Sequence, residues 1–338
     1  MSVGVDIGSK TIKIVELAKE KGGFRLRASG IVGYTGVTPD KLKLDKELTP
    51  LAQSIRKLHK EAKISSKEVV IALPESQVYT RTIKFPLLTD VEVASAVRWE
   101  AEQYIPIPLN EAVVQHQILE RREDTTPPEV LVLLVATPRS LVEVYQRLTQ
   151  LAGLTLIAVE TELMALVRSL APVDATSLII DLGARSTNIA IANKGELSFS
   201  RSISTAGEAF TRAVAQSLGI EQTQAEEYKR TYGLSQTKLE GKVKKSLDAV
   251  FRMVIDEIRK AIQYYQGEEK GEVPRSLILS GGTAGMPEIV SSLSKELGLE
   301  VVIGNPFSKV SVDPEAAKSL SGYAPLYSIA VGLAMRGD

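Results

Sequence analysis

Val5-Asp6-Ile7-Gly8-Ser9-Lys10-Thr11, near the start of the chain, is echoed past its middle by Ile180-Asp181-Leu182-Gly183-Ala184-Arg185-Ser186-Thr187. In each copy apolar residues run into Asp-x-Gly, hydroxyl residues follow, and a second apolar stretch begins. Each therefore reads as strand, tight turn and strand, one per half of the chain. The glycine lets the backbone approach closely and take turn dihedrals. Backbone N–H groups and hydroxyls at such a turn can surround phosphate oxygens. An aspartate at the strand end suits hydrated Mg²⁺, which keeps several waters and takes one or two carboxylates. A single Asp-x-Gly is most often a plain hairpin, but two copies opening two half-chains read as paired phosphate grips. A third element, Ser280-Gly281-Gly282-Thr283-Ala284, follows the apolar run Leu277 to Leu279. The set fits neither Gly-x-Gly-x-x-Gly between strand and helix nor Gly-x4-Gly-Lys-Ser/Thr.

Outward from the first hairpin, Thr11 to Leu17 alternates apolar and polar residues as a strand does, and Phe24 to Tyr34 reads as a third strand. Leu51, Ile55, Leu58 and Ala62 mark an amphipathic helix over Leu48 to Ala62. A buried strand, Val69 to Leu73, stops at Pro74. From Thr89 the pattern is helical until Pro106 and Pro108 break it. Strands Val113 to Glu120 and Val130 to Thr137, then a helix Arg139 to Ala152, complete a small inserted α/β unit. A strand at Thr155 to Val159 and a helix at Glu162 to Leu170 precede Pro172 to Thr176, the expected linker between lobes. Later helices are expected at Gly207 to Leu218, Gln222 to Tyr232, Lys245 to Gln266 and Tyr327 to Met335.

The 338 residues suggest two domains or one large composite unit. Lys plus Arg equals Asp plus Glu at 41 each, so nothing predicts long-range attraction to nucleic acid or an anionic membrane. The absence of cysteine excludes disulfides, thiolate zinc sites and cysteine nucleophiles. Two histidines, His59 and His116, are too few for a His-rich metal site. The N-terminus MSVGVDIGSK lacks the basic and apolar regions of a signal peptide. No run of about eighteen apolar residues predicts a membrane span, so the expected compartment is the cytoplasm.

In this order the motifs resemble those of the actin, Hsp70 and sugar kinase superfamily. The resemblance implies an α/β, two-lobed actin-like ATPase fold of duplicated ribonuclease H-like domains that binds ATP and Mg²⁺. It implies phosphate contacts from Gly8, Ser9, Lys10, Lys13, Gly183, Ser186 and Thr187, with Asp6 and Asp181 ordering Mg²⁺ through its waters. Ala225-Glu226-Glu227-Tyr228-Lys229 is similar to the Ala-Glu-x-x-Lys helix of bacterial actin homologues. Glu226 and Lys229, with Gly281 and Gly282, would then hold the nucleoside. Glu160-Thr161-Glu162-Leu163-Met164-Ala165 is similar to the Glu-Pro-x-Ala start of the interlobe helix, with Leu163 in place of the usual proline. Glu162 stands where hydrolysing members orient the attacking water; the other reading is a helix-start acid favoured by the dipole.

The insertion carries Trp99-Glu100-Ala101-Glu102-Gln103-Tyr104-Ile105-Pro106, preceded by Phe85-Pro86 and followed by strands with Gln115, Gln117 and Val135-Ala136-Thr137. These closely resemble the PilM family, the FtsA-related, actin-like components of type IV pilus assembly. The resemblance implies subdomain 1A at 1–83, 155–175 and 326–338, and an FtsA-type 1C insertion at 84–154. Subdomain 2A would span 176–204 and 273–325, and 2B 205–272. It implies a partner, the N-terminal cytoplasmic tail of the inner-membrane protein PilN, bound in the 1A/1C groove. It also implies other proteins of the inner-membrane platform, allows a homo-oligomer, and places the chain at the inner face of that membrane through its partner, without direct insertion. Two alternatives share the fold. FtsA-like filament proteins carry a C-terminal amphipathic membrane helix, which is not seen before the end at Arg336-Gly337-Asp338. Metabolic kinases need an aspartate base, and Asp124 in its polar turn is a poor candidate.

Overall fold

Val3, Val5, Ile12 and Ile14 are all but inaccessible to solvent, and the hairpin they form centres the first of two units into which the chain divides. The computed structural model describes residues 1–267 and 271–336. Residues 268–270 and 337–338, which fall in the expected 2B and C-terminal 1A segments, lie outside the described residues. The first unit holds residues 1–165, 196–200 and 329 onward. Strands β1 (Ser2–Ile7), β2 (Thr11–Glu20) and β3 (Gly23–Gly33) pair antiparallel. Beyond β1, β4 (Glu68–Leu73) and then β8 (Thr155–Thr161) run parallel to it.

Both faces of this sheet are buried, which is why β1 and β4 read as near-continuous apolar runs, while the alternating β2 buries its polar Lys13 and Glu16 as well. On one face α1 (Asp45–Glu61) lays down Leu48, Leu51, Ile55 and Leu58. Each such side chain contributes roughly 1.5–3 kcal/mol on burial, so packing rather than helix propensity holds α1. Against the other face the sheet meets α10 (Ser328–Ala334), where Gly4 and Gly332 allow backbone contact. A Cβ on Gly4 would stand 2.1 Å from the Ala330 carbonyl oxygen, and one on Gly332 1.8 Å from that of Ala165.

The inserted unit is a three-stranded antiparallel sheet of β5 (Tyr79–Pro86), β6 (Ala112–Arg122) and β7 (Glu129–Pro138), in the order β5-β7-β6. It packs with α2 (Asp90–Tyr104) around its own core of Ile83, Phe85, Val93, Val97, Ala101, Val130, Val132 and Leu134. Thr89 caps α2, its hydroxyl accepting the Glu92 N–H while Glu92 accepts the Thr89 N–H. The strand pairing and the core around this sheet do not follow the expected limits of 84–154. β5 begins at Tyr79 and pairs with β7 along its whole length, so a boundary at 84 would cut a strand. α3 (Arg139–Ala152) buries Leu141, Tyr145 and Leu148 in the α1 core. Its apolar stripe was legible, but a stripe does not say which core it enters.

The second unit holds residues 166–195 and 201–328. Its sheet centres on β9 (Thr176–Leu182), paired antiparallel with β10 (Thr187–Asn193) and parallel with β12 (Ser276–Ser280), which carries β13 (Glu300–Ile303). Strand β11 (Glu196–Ile203) is divided between the units. Helices α5 (Gly207–Leu218), α6 (Gln222–Tyr232), α7 (Lys242–Gly267), α8 (Ile289–Leu297) and α9 (Pro314–Leu320) belong to this unit. The chain passes between units inside α4 (Glu162–Leu170), after Ala165, and not at the expected linker Pro172 to Thr176. That segment is exposed at Val173 to Ala175 but tied down, with the Lys194 N–H donating to the Ala175 carbonyl at 3.3 Å. Among the described residues no helix is long and apolar enough to cross a membrane.

Candidate functional site: two Asp-x-Gly hairpins

The two hairpins are built alike. The Gly8 N–H donates to the Thr11 carbonyl at 3.0 Å, and the Gly183 N–H to the Ser186 carbonyl at 3.1 Å. In each the aspartate two residues before the glycine faces a residue across the ladder: Asp6 opposite Lys13, Asp181 opposite Asn188. The first copy thus puts an ammonium where the second has a neutral amide.

In the first unit Asp6 and Lys13 are both buried, at 2% and 8% exposure, and Lys13 Nζ lies 2.8 Å from Asp6 Oδ2. A Cβ on Gly8 would lie 3.0 Å from that Nζ, so the ammonium sits at the turn. Asp6 is the only hydrogen-bond partner of Lys13 among the described residues, which leaves two of its three N–H groups for another acceptor. Gly8 and Ser9 are half-buried and Lys10 is exposed. Glu162 opens α4, and its Oε2 accepts the Glu75 N–H at 3.2 Å. Tyr145 of α3, fully buried, has its hydroxyl pKa pushed well up by burial and by the carboxylates of Glu162, Asp40 and Asp6. Asp6 and Glu162 therefore share one neighbourhood.

Glu75 and Tyr145 belong to no motif read from the sequence. Glu75 is 4% exposed, and its Oε2 accepts the Leu163 N–H at 3.3 Å. Burial raises its carboxyl pKa from 4.5 to about 7, against the opposing hydrogen bonds from Leu163, Thr161 and Ser200. The folded chain thus keeps a proton that the unfolded chain has already released. Stability falls as pH rises from about 4.5 to about 7, by about 3 kcal/mol, and is level above that window. Glu75→Gln keeps an acceptor oxygen but cannot ionise. Denaturant melts from pH 5 to 8 should show the wild type losing stability relative to this variant, with the gap widest at pH 8.

In the second unit two elements converge on the Gly183 carbonyl. It accepts the Gly207 N–H at 3.0 Å, from the start of α5, and the Thr283 hydroxyl at 3.4 Å, from the glycine turn after β12. Gly281, at φ +91°, lies directly on the Leu182 backbone, while Gly282 is exposed. Ser186 is half-buried. Thr187 is fully buried and its hydroxyl donates to the Thr205 carbonyl at 2.7 Å, so it fastens the hairpin from behind.

Lys229 is buried as well. Its Nζ donates to the Gly207 carbonyl (3.1 Å), Thr211 Oγ1 (3.0 Å) and Glu226 Oε2 (2.7 Å), which uses all three N–H groups. Burial pushes the ammonium pKa down, against the pull of Glu226. For Glu226 burial acts upward, but hydrogen bonds from Lys229 and Thr211 outweigh it and the carboxyl sits below its usual range. Glu226, half-exposed, is the member of the pair with an accessible side. Lys229 braces α6 against the start of α5.

A metal would find no cage, since no group of three His, Asp or Glu side chains among the described residues could hold one.

A family model described as type IV pilus assembly protein PilM matches residues 4–338. A solved PilM-PilN type IV pilus biogenesis complex contains a chain 28% identical, with a TM-score of 0.84 over 99% of this chain and 98% of that one. MreB5 of Spiroplasma citri bound to ADP gives 0.57 at 15% identity, over 98% of this chain and 94% of that one. The cell division protein FtsA of Streptococcus pneumoniae is 20% identical over 346 residues, 90% of this chain and 75% of that protein. With these likenesses the architecture is the two-lobed actin-like fold.

Proposed function

The chain belongs to the PilM family of type IV pilus assembly proteins, and on that premise we propose that it is a cytoplasmic, ATP-binding adaptor of the pilus inner-membrane platform that holds the N-terminal tail of PilN between subdomains 1A and 1C. The likeness to a chain of the PilM-PilN complex carries this reading. The inserted sheet adds a chemical reason. An extended tail binds through backbone hydrogen bonds to an edge strand and through side-chain pockets, and β5 and β6 are the outer strands of that sheet. Tyr79 is exposed on β5, and the Arg81 guanidinium lies 3.8 Å from the centre of the partly exposed Tyr104 ring. Membrane association would come through the partner.

ATP is the nucleotide in this reading. Gly8, Ser9, Lys10, Lys13, Gly183 and Ser186 contact its phosphates, and Gly281, Gly282 and Glu226 its nucleoside. Thr187 and Lys229 support these contacts from behind. Asp6 and Asp181 order Mg²⁺ through water, and Glu162 orients a water for attack. A relative of the same fold is solved with ADP, which supports the nucleotide class.

The test is a titration of a labelled PilN tail peptide into the purified chain with Mg-ATP present. Saturable binding that is lost in Tyr79→Ala/Arg81→Glu is expected. Absence of binding in a chain that still takes up ATP would retire the adaptor reading. Asp181→Ala is expected to weaken Mg-ATP at least about tenfold, equivalent to about 1.4 kcal/mol, without unfolding the chain. Unchanged affinity would remove Asp181 from the site.

A further inference from the structure

Glu75 lies in the turn that follows β4 and Pro74, and it engages the start of α4 twice. Its side chain accepts the Leu163 N–H at 3.3 Å, and its backbone N–H donates to Glu162 Oε2 at 3.2 Å. The first amides of a helix have no partner within the helix. Here Leu163 is satisfied by Glu75, and Met164 by Thr161 Oγ1 at 3.1 Å. The hydroxyls of Thr161 and of Ser200, on β11, complete the surroundings of the Glu75 carboxyl. A glutamate in the first turn of a helix would otherwise sample several rotamers.

We propose that Glu75 is a positioning residue for Glu162: its side chain ties the first turn of α4 to the turn after β4, so that its own backbone N–H meets the Glu162 carboxylate. The consequence for ATP rests on the reading that Glu162 orients the attacking water; the positioning itself rests on the geometry. An opening that lets water reach a buried carboxyl is easier once that carboxyl is ionised. The tie therefore weakens as Glu75 loses its proton. The charged side chain in contact with it is that of Glu162, from α4; Glu160, which precedes Thr161 on β8, is paired with Arg336 at 3.1 Å. Thr161 and Ser200 do not titrate.

The test is residue-resolved amide hydrogen exchange on the whole chain. Corrected for intrinsic rates, protection at Leu163 and Met164 should fall about a hundredfold between pH 5 and 8 in the wild type. It should be flat in Glu75→Gln and at least about tenfold lower in Glu75→Ala at pH 5. The Glu162 carboxyl carbon shift should move in Glu75→Ala and not in Glu75→Gln. Should Glu75→Ala not fold, Glu75→Gln decides alone. A pH-independent wild type, or protection at Leu163 and Met164 as high in Glu75→Ala as in the wild type at pH 5, would make Glu75 an ordinary buried acid and overturn the proposal. Mg-ATP turnover separates the two readings. Altered protection with unchanged turnover refutes the role given to Glu162 and leaves the positioning standing.

Discussion

Lys13→Met is expected to lower the stability of the first unit by about 3–5 kcal/mol, the cost of leaving one member of a buried ion pair without its partner. Asp6, at 2% exposure, would keep a carboxylate in a site where the ammonium 2.8 Å away was its counter-charge. A second substitution separates charge from packing. Asp6→Asn made together with Lys13→Met removes the orphaned charge, and replacing both members of such a pair is often close to neutral. The double variant should therefore recover most of the loss in a denaturant melt. A single variant that melts with the wild type would show that the pair is solvated.

The second large effect belongs to the glycine turn. Gly281→Ala places a Cβ 2.6 Å from the Leu182 carbonyl oxygen and 2.7 Å from its carbon, at a backbone φ of +91°. Neither obstacle is the movable end of a side chain. The left-handed backbone costs about 1–2 kcal/mol and the forced displacement about 1–3 more, so a loss of about 2–5 kcal/mol is expected. Leu182 leads into Gly183, so the variant should also bind ATP more weakly than its stability alone explains. Gly285→Ala is the control: nothing lies within 4 Å of its Cβ, and a change within about 0.5 kcal/mol is expected. Equal melting of the two variants would mean that the turn yields.

How much was legible varies from residue to residue. Asp6, Gly8, Asp181 and Gly183 could be read because a hairpin is local: strand, turn and strand lie within a dozen residues, and the same short-range chemistry recurs. The helices could be read because their apolar spacing is local too, and α3, α5 and α6 begin and end where the spacing says. Thr187 and Lys229 were assigned to contact with nucleotide, but a hydroxyl or an ammonium carries no mark of the carbonyl it will find. Thr205 and Gly207, which take those donors, come from elsewhere in the chain.

The sequence by itself determined the α/β class, the duplicated hairpins and the family, since all three rest on residue order over short spans. Only the tertiary structure decided that α3 joins the α1 core, that Lys13 neutralises Asp6, that the chain changes units inside α4, and that Glu75 holds the start of that helix. Each of these is a contact whose partner or burial is set by the packing of whole layers. A buried carboxyl in the middle of a polar turn looks like any solvated glutamate until the elements that desolvate it are in place.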